Sequence, residues 1–457
     1  MRILFINLFL LTSSSFSSQN SDSLMLRKIF DYYLIQSNCY SNLEFLSTKI
    51  ESRLSGSPGA EKAVSWAKKA LYEAGADTVY LQPCMVPHWV RGKKETCTVN
   101  NIQNKKISFN VCALGNSIST NPDGITAKVI EVKSFEELDS LGEKNIKGKI
   151  VFFNVYFDHK HLTTGTCYGE KVTFRYSGPS KAAKYGALAS IVRSMSSINN
   201  DFPHTGVMGY DTSICKTKIP ACAISYSGAD ELLKELKLNK ELKLTLKMSC
   251  VMLEKVLSYN VVGEIKGHTK PNEIILAGGH LDAWDNGQGA HDDGAGVVQG
   301  IEVLAMFKKL NIAPHHTIRA VAFMNEENGL EGARAYFEDT KKNNLKHIAA
   351  LESDAGGFSP RGISVDTTMG AFKKTLEWKQ LLNPYFVQYI EKEGSGADVS
   401  PLRKIGVPII GFQPDGQRYF DYHHTADDTF DKINKRELDL SAGVIGSLIY
   451  LIDHKGW

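Results

Sequence analysis

The sequence predicts an α/β protein: one mostly parallel, mixed sheet flanked by helices on both faces, with a small α/β domain inserted into it. Three observations predict this. After residue 251, short β-branched apolar runs alternate with helical stretches, which is the rhythm of βαβ units. Several of those runs end directly on polar, metal-ligating residue types, as strands do where an open sheet forms a crevice. Between Pro122 and Cys250 a separate set of strand-length runs appears, and at 457 residues the chain is too long for one ordinary domain.

The elements follow in order. Residues 1–18 read as a secretory signal peptide. Arg2 supplies a charged start, Ile3 to Leu11 is apolar, and Ser13 to Ser18 is small and polar. The apolar span is well short of the ~20 residues needed to cross a bilayer, so a signal anchor is the weaker reading. The secretory pathway, with a secreted or lysosomal destination, is expected, and no later segment reads as a membrane span. Residues 19–121 hold N-terminal helices and the first part of the main domain. Val64, Ala67, Leu71 and Ala74 recur at helical spacing over Ala60 to Ala74, and Gly75 ends that helix. Thr78 to Leu81 is a predicted strand and Val86 to Gly92 an exposed turn.

Residues 122–250 form the predicted insert, with strands at Val129 to Val132, Ile150 to Val155, Ala187 to Val192 and Ile219 to Ile224. A short helix is expected from Ser180. Residues 251–457 make up the main domain. Strands are predicted at Val261 to Ile265, Ile274 to Ala277, Ile318 to Phe323, Ile348 to Leu351 and Val407 to Phe412. Gly296 to Leu310 is an amphipathic helix with Val297, Ile301, Leu304 and Phe307 on one face.

Composition excludes some partners. A net charge of +3, with only isolated Lys-Lys pairs, argues against nucleic acid. Apolar content of 42% and charged content of 23% are those of a globular protein in water. Eight cysteines occur, all at or before Cys250, and an even number in an oxidising compartment is compatible with disulfide bonds. Their spacing does not resemble a zinc-binding CxxC pair, and no Asn-x-Ser/Thr sequon is present.

The chemistry is concentrated between Gly278 and Thr429. His280 follows a strand and two glycines, and Asp282 stands two residues on, placed to hold the other nitrogen of the imidazole. The segment GQGAHDDGAG contains Asp292. A phosphate-cradling loop is the competing reading, but the spacing is not GxGxxG and two aspartates would repel a phosphate. Glu326 and Glu327 sit just past a buried strand and point in different directions, so one can bind metal while the other faces water. Asp354 follows another strand end, and His424 lies in a polar loop before the last helix. Two histidines and three carboxylates, with one further Glu, are what a pair of zinc ions and a catalytic base require. Other histidines carry less: His159 and His161 read as a polar surface loop, and His315-His316 precedes its strand.

The strings GGHLDAWDNGQGAHDDGAG, MNEENGLEGA, LESDAGG and HHTADDT resemble, in order and spacing, the co-catalytic di-zinc aminopeptidase and carboxypeptidase family. RLSGSPGAEKA, PHWVRG, KAAKYGALASIVRS and PHTG extend the likeness over nearly the whole chain. The resemblance implies a zinc-peptidase fold whose insert is a protease-associated-like domain. It implies two Zn2+ ions per chain, His280 and Asp354 on one, Glu327 and His424 on the other, and Asp292 bridging them. Asp292 is preferred to Asp293 because the family's bridging Asp stands four residues before the last glycine, and a cis peptide typically follows it. Glu326 would be the general base and Asp282 would orient His280. Ala283 stands where the family often has Ser, at a position that is not a ligand. The implied substrate is a short peptide, chiefly an unblocked dipeptide, and the implied assembly a homodimer, with Gly394 to Asp398 lining or covering the cleft. A single-zinc glutaminyl cyclase and a non-enzymatic binding ectodomain are the rival readings.

Overall fold

The computed structural model describes residues 21–457 except residue 51, so the signal peptide expected at 1–18 lies outside the described residues. Two eight-stranded sheets carry the fold. With strands numbered in chain order, the first sheet runs β1 (Thr78–Val90), β10 (Val251–Ile265), β12 (His316–Phe323), β11 (Lys270–His280), β13 (Lys346–Glu352), β16 (Ile409–Pro414), β14 (Pro360–Asp366) and β15 (Tyr389–Glu391). Its centre is parallel: β11 pairs in parallel with β12 and β13, and β13 with β16. Antiparallel pairs flank that centre, so the sheet is mixed, as the sequence predicts.

The central strands form because both of their faces are covered, which selects continuous apolar runs. Ile274 to Ala277 are all buried and alternate between two cores. Ile275 and Ala277 join the helices Ala295–Lys309 and Lys435–Lys455, while Leu276 packs with Phe323, Tyr336 and Val399 on the other face. The helix expected over Ala60 to Ala74 runs Pro58–Glu73, beginning two residues earlier because Ser57 caps it, its hydroxyl accepting from the Ala60 amide. It buries Ala63, Val64, Ala67 and Leu71.

The second sheet runs β3 (Lys106–Phe109), β2 (Thr96–Asn100), β9 (Lys243–Lys247), β5 (Ile125–Val132), β6 (Ile150–Phe153), β7 (Ala189–Arg193), β8 (Ala221–Ile224) and β4 (Val111–Ala113). It thus takes its strands from Thr96 onward rather than from 122, because β2 pairs with β9 from the far end of the insert. The exposed turn expected at Val86 to Gly92 is instead the far half of β1. Val86 pairs with Val256 and Val90 with Val251, and Trp89 is buried. The chain therefore enters and leaves the second layer along one antiparallel ribbon, β1 with β10.

All eight cysteines are buried and free, so none of the disulfides expected from their even number forms. Among the described residues no helix is long and apolar enough to cross a membrane.

Candidate active site

Register brings the site together. Gly279 stands opposite Ala322, His280 opposite Phe323 and Gly278 opposite Glu352, so the carboxyl ends of β11, β12 and β13 lie side by side. His280 ends β11, Glu326 and Glu327 follow β12, and Asp354 follows β13. Asp292 reaches the same point from a buried turn, Ala290–Gly294, whose Asp292–Asp293 peptide is cis, as the resemblance implies. His424 arrives from the loop after β16.

The Asp292 carboxylate lies between two groups. Its Oδ1 is 3.2 Å from His280 Nε2, which is also 3.7 Å from Asp354 Oδ1. Its Oδ2 is 3.2 Å from His424 Nε2, which is 3.1 Å from Glu327 Oε2. A tetrahedral zinc ion with ligands at about 2.0–2.2 Å holds neighbouring ligand atoms roughly 3.3–3.6 Å apart, and all four separations lie within about 0.2 Å of that range, so both clusters are close to the size such an ion requires. Asp292 Oδ2 and Asp354 Oδ1 are also buried and accept no hydrogen bond. Buried carboxylate oxygens are ordinarily paired or bound to metal. The donor set fits two metal ions.

A second ring of groups holds these side chains. His280 Nδ1 faces the Asp282 backbone carbonyl at 3.0 Å, while the Asp282 carboxylate stays 4.0 Å away. That carboxylate does not orient His280 as expected. It accepts instead from the backbone amides of Asn325, Glu326 and Glu327 at 2.6, 3.1 and 3.3 Å. Asp293 accepts from the His280 and Gly296 amides, each at 3.0 Å. Asp428 accepts from the His291 and Asp292 amides at 2.8 and 3.1 Å. Arg53, buried, donates to the carbonyls of Leu281, Gln288 and Gly289 and so clamps both loops that lead to His280 and Asp292. His424 Nδ1 faces the Thr205 carbonyl at 3.2 Å, which leaves Nε2 for metal, and the Thr205 amide donates to the His424 carbonyl.

Thr205, Arg53, Asp293 and Asp428 have no role in the sequence-based reading. Thr205 and Arg53 stand in PHTG and RLSGSPGAEKA, far from the ligands in the chain. A motif shows that such residues matter without showing what they touch. The other histidine candidates stay apart. His161 pairs with Glu170 at 2.8 Å, and His316 pairs with Asp453 at 2.9 Å at the opposite end of β12. His423 stacks on His424 with ring centroids 3.5 Å apart, and its Nε2 is 3.7 Å from Asp292 Oδ2. Its ring is packed against Tyr168, Tyr419 and Phe420.

Electrostatics separate the two adjacent glutamates. Burial, then the carboxylates of Asp354, Glu327 and Asp292, raise Glu326 well above the usual carboxylate range against the opposing pull of His280. Burial and Asp292 push Glu327 up to about 7. Asp292 goes the other way: against the upward push of burial, a hydrogen bond from His280 and the adjacent His424 imidazole hold it well below that range.

A cleft of about 560 Å³ opens on Asp292, Glu326, Glu327, Asp354 and His424. Its opposite wall comes from the second layer, through Asn116, Tyr168, Arg175 and Val207 to Gly209. Gly394 to Asp398 does not line this cleft. It lies behind β13, where the Val399 amide donates to Glu352 and Asp398 is buried.

Residues 260–449 match Peptidase family M28. The chain belongs to that family and is an enzyme of the metallopeptidase class. Among curated relatives it is 35% identical to carboxypeptidase Q of Xenopus laevis over 417 residues, 91% of this chain and 86% of that protein. It is 34% identical to the Homo sapiens carboxypeptidase Q over 421 residues, again with 86% of the relative covered. Its fold matches the solved structure of a peptidase M28 precursor from Shewanella amazonensis with a TM-score of 0.90. Identity is 33%, covering 95% of this chain and 97% of that one.

Proposed function

We propose that this chain is a two-zinc exopeptidase that hydrolyses short peptides with free ends, chiefly dipeptides, in the manner of carboxypeptidase Q. The observation that carries the reading is the Asp292 carboxylate shared between two ligand clusters of zinc dimensions, with Glu326 beside them on the cleft wall. His280 and Asp354 would hold one ion and Glu327 and His424 the other, with the Asp292 carboxylate available to both. When bound, the ions supply Lewis acidity, polarising the scissile carbonyl and lowering the pKa of a water. Glu326 takes the proton of the attacking water and passes it to the leaving amine nitrogen. Burial and the neighbouring carboxylates raise its proton affinity, which suits a group that must take a proton from water. Asp282 positions Glu326 by anchoring its backbone.

The same reading places the protein in the secretory pathway, secreted or lysosomal, as a homodimer. The far part of the β1/β10 ribbon exposes Met85, Val251, Met252, Leu253 and Leu257, apolar surface of the kind a subunit contact covers.

The test is hydrolysis of free and N-blocked dipeptides and tripeptides by the secreted protein, with zinc counted on the same sample. Cleavage of free dipeptides at two zincs per chain is the expected result. One zinc per chain would favour a cyclase-type chemistry, and two zincs without any cleavage would remove the exopeptidase reading.

A further inference from the structure

Arg175 stands near the end of the helix Thr164–Tyr176 and reaches the cleft wall opposite the metal ligands. Its residue is only 6% exposed. Buried guanidinium groups are ordinarily paired with a carboxylate or fully hydrogen-bonded. The other buried arginines obey this rule: Arg193 pairs with Asp230, Arg319 with Glu264 and Arg91 with Asp285, and Arg53 is met by three carbonyls. Arg175 has no such partner. No carboxylate pairs with it among the described residues, and its Nε is buried without an acceptor. One weak bond, from Nη1 to the Thr205 carbonyl at 3.4 Å, holds it beside the Tyr168 ring.

The backbone makes room for this group. Gly206 has φ +135°, a conformation that favours glycine, and a Cβ there would lie 2.4 Å from the guanidinium carbon and push it aside. The Thr205 carbonyl that receives Arg175 is also the one facing His424 Nδ1, so guanidinium and metal-binding imidazole are neighbours around one oxygen. One residue of extended peptide spans about 3.3–3.6 Å. Arg175 lines the same cleft as Asp292, Glu326 and His424, so a carboxylate one residue beyond a bond held at the metals would face that wall.

We propose that Arg175 binds the terminal carboxylate of the substrate and so selects peptides cleaved before their last residue. This rests on the exopeptidase reading above and assigns its specificity to one side chain. The pairing is charge-assisted and planar, the kind for which arginine is suited.

The test compares free dipeptides with the same dipeptides as C-terminal amides, using the zinc-loaded secreted protein. Wild type should prefer the acids. Arg175→Gln should raise KM for the acid about tenfold or more while changing the amide by no more than about twofold, with kcat largely kept. Arg175→Lys should restore part of the preference. In parallel, a free amino acid product should protect wild type from thermal unfolding better than its amide, and this difference should vanish in Arg175→Gln. Equal cleavage of acid and amide by wild type would overturn the proposal. So would an equal fall in kcat for both substrates with loss of zinc, which would make Arg175 a support for Thr205 and His424 only. Arg334, an exposed arginine paired with Glu331, also lines the cleft, and loss of acid preference in Arg334→Gln but not in Arg175→Gln would move the anchor there. Should Arg175→Gln not fold, the lysine variant and the wild-type comparisons decide. If no peptide is cleaved, the exopeptidase reading falls, and the product-binding difference still decides the role of Arg175.

Discussion

Glu326 and Glu327 are adjacent in sequence, and the proposed function gives them different duties. Glu327 turns toward His424, and Glu326 stays on the open cleft wall. Glu326→Gln is expected to lower kcat by about 10²–10⁴ while zinc content stays near wild type. Glu327→Gln should lower zinc content first. Metal analysis on the assayed samples separates the two, and the opposite pattern would reverse the roles. Asp282 shows where reading residues one at a time stops. A spacing of two residues predicts that its carboxylate meets His280, but the turn presents its backbone carbonyl instead, and the carboxylate takes three amides of the glutamate loop. Asp282→Ala should therefore reduce kcat more than zinc affinity. It should also cost about 3 kcal/mol or more of stability in urea unfolding, since three buried donors lose their acceptor. Such partners are invisible in a sequence because they depend on which atom a turn brings forward.

At the scale of elements, the parallel strands after residue 251 are legible because burial on both faces leaves continuous apolar runs with clear ends. The continuation of β1 through VPHWV is not. Pro87 interrupts the pattern, and it falls at the register irregularity between Val86 and His88, where the missing amide costs no ladder bond. The strand continues only because β10, more than 150 residues away, supplies its partner. The two layers also meet where Gly115 faces Trp284. A Cβ there would lie 1.9 Å from the ring, and the Trp284 amide donates to Glu327 at 3.3 Å. Gly115→Ala is expected to destabilise the fold by about 1–3 kcal/mol and to lower zinc affinity through the displaced indole. Unfolding curves and zinc titration of the variant check both effects, and unchanged zinc binding would show that the indole does not matter to Glu327.

At the scale of the molecule, an even cysteine count in a chain expected to be secreted suggests disulfides, yet every thiol is buried without a bridge. Burial pushes Cys84, Cys97 and Cys112 up to about 12 and Cys250 to about 11. All eight should resist a thiol reagent in the native protein and all eight should react in denaturant without reductant. A smaller number in denaturant would reveal bridges. Acid stability depends on neutral buried histidines such as His347. Burial and the nearby Arg319 lower it to about 3, and its Nε2 is 2.7 Å from the Tyr336 hydroxyl. The unfolded chain protonates this group below about pH 6.5 whereas the folded chain does not. Stability is therefore full above that pH and falls as pH drops toward 3. Urea unfolding should show a loss of about 2 kcal/mol between pH 6.5 and pH 5 that His347→Gln escapes. A wild-type loss no greater than the variant's would assign acid sensitivity elsewhere.

The Thr205 contact with His424 has one more consequence. Both the amide and the carbonyl of a residue in one layer are spent on a metal ligand of the other. Any parting of the layers at this point would break both bonds and free the His424 imidazole. Under the proposed function, widening the mouth and disarming the catalyst would be one and the same motion.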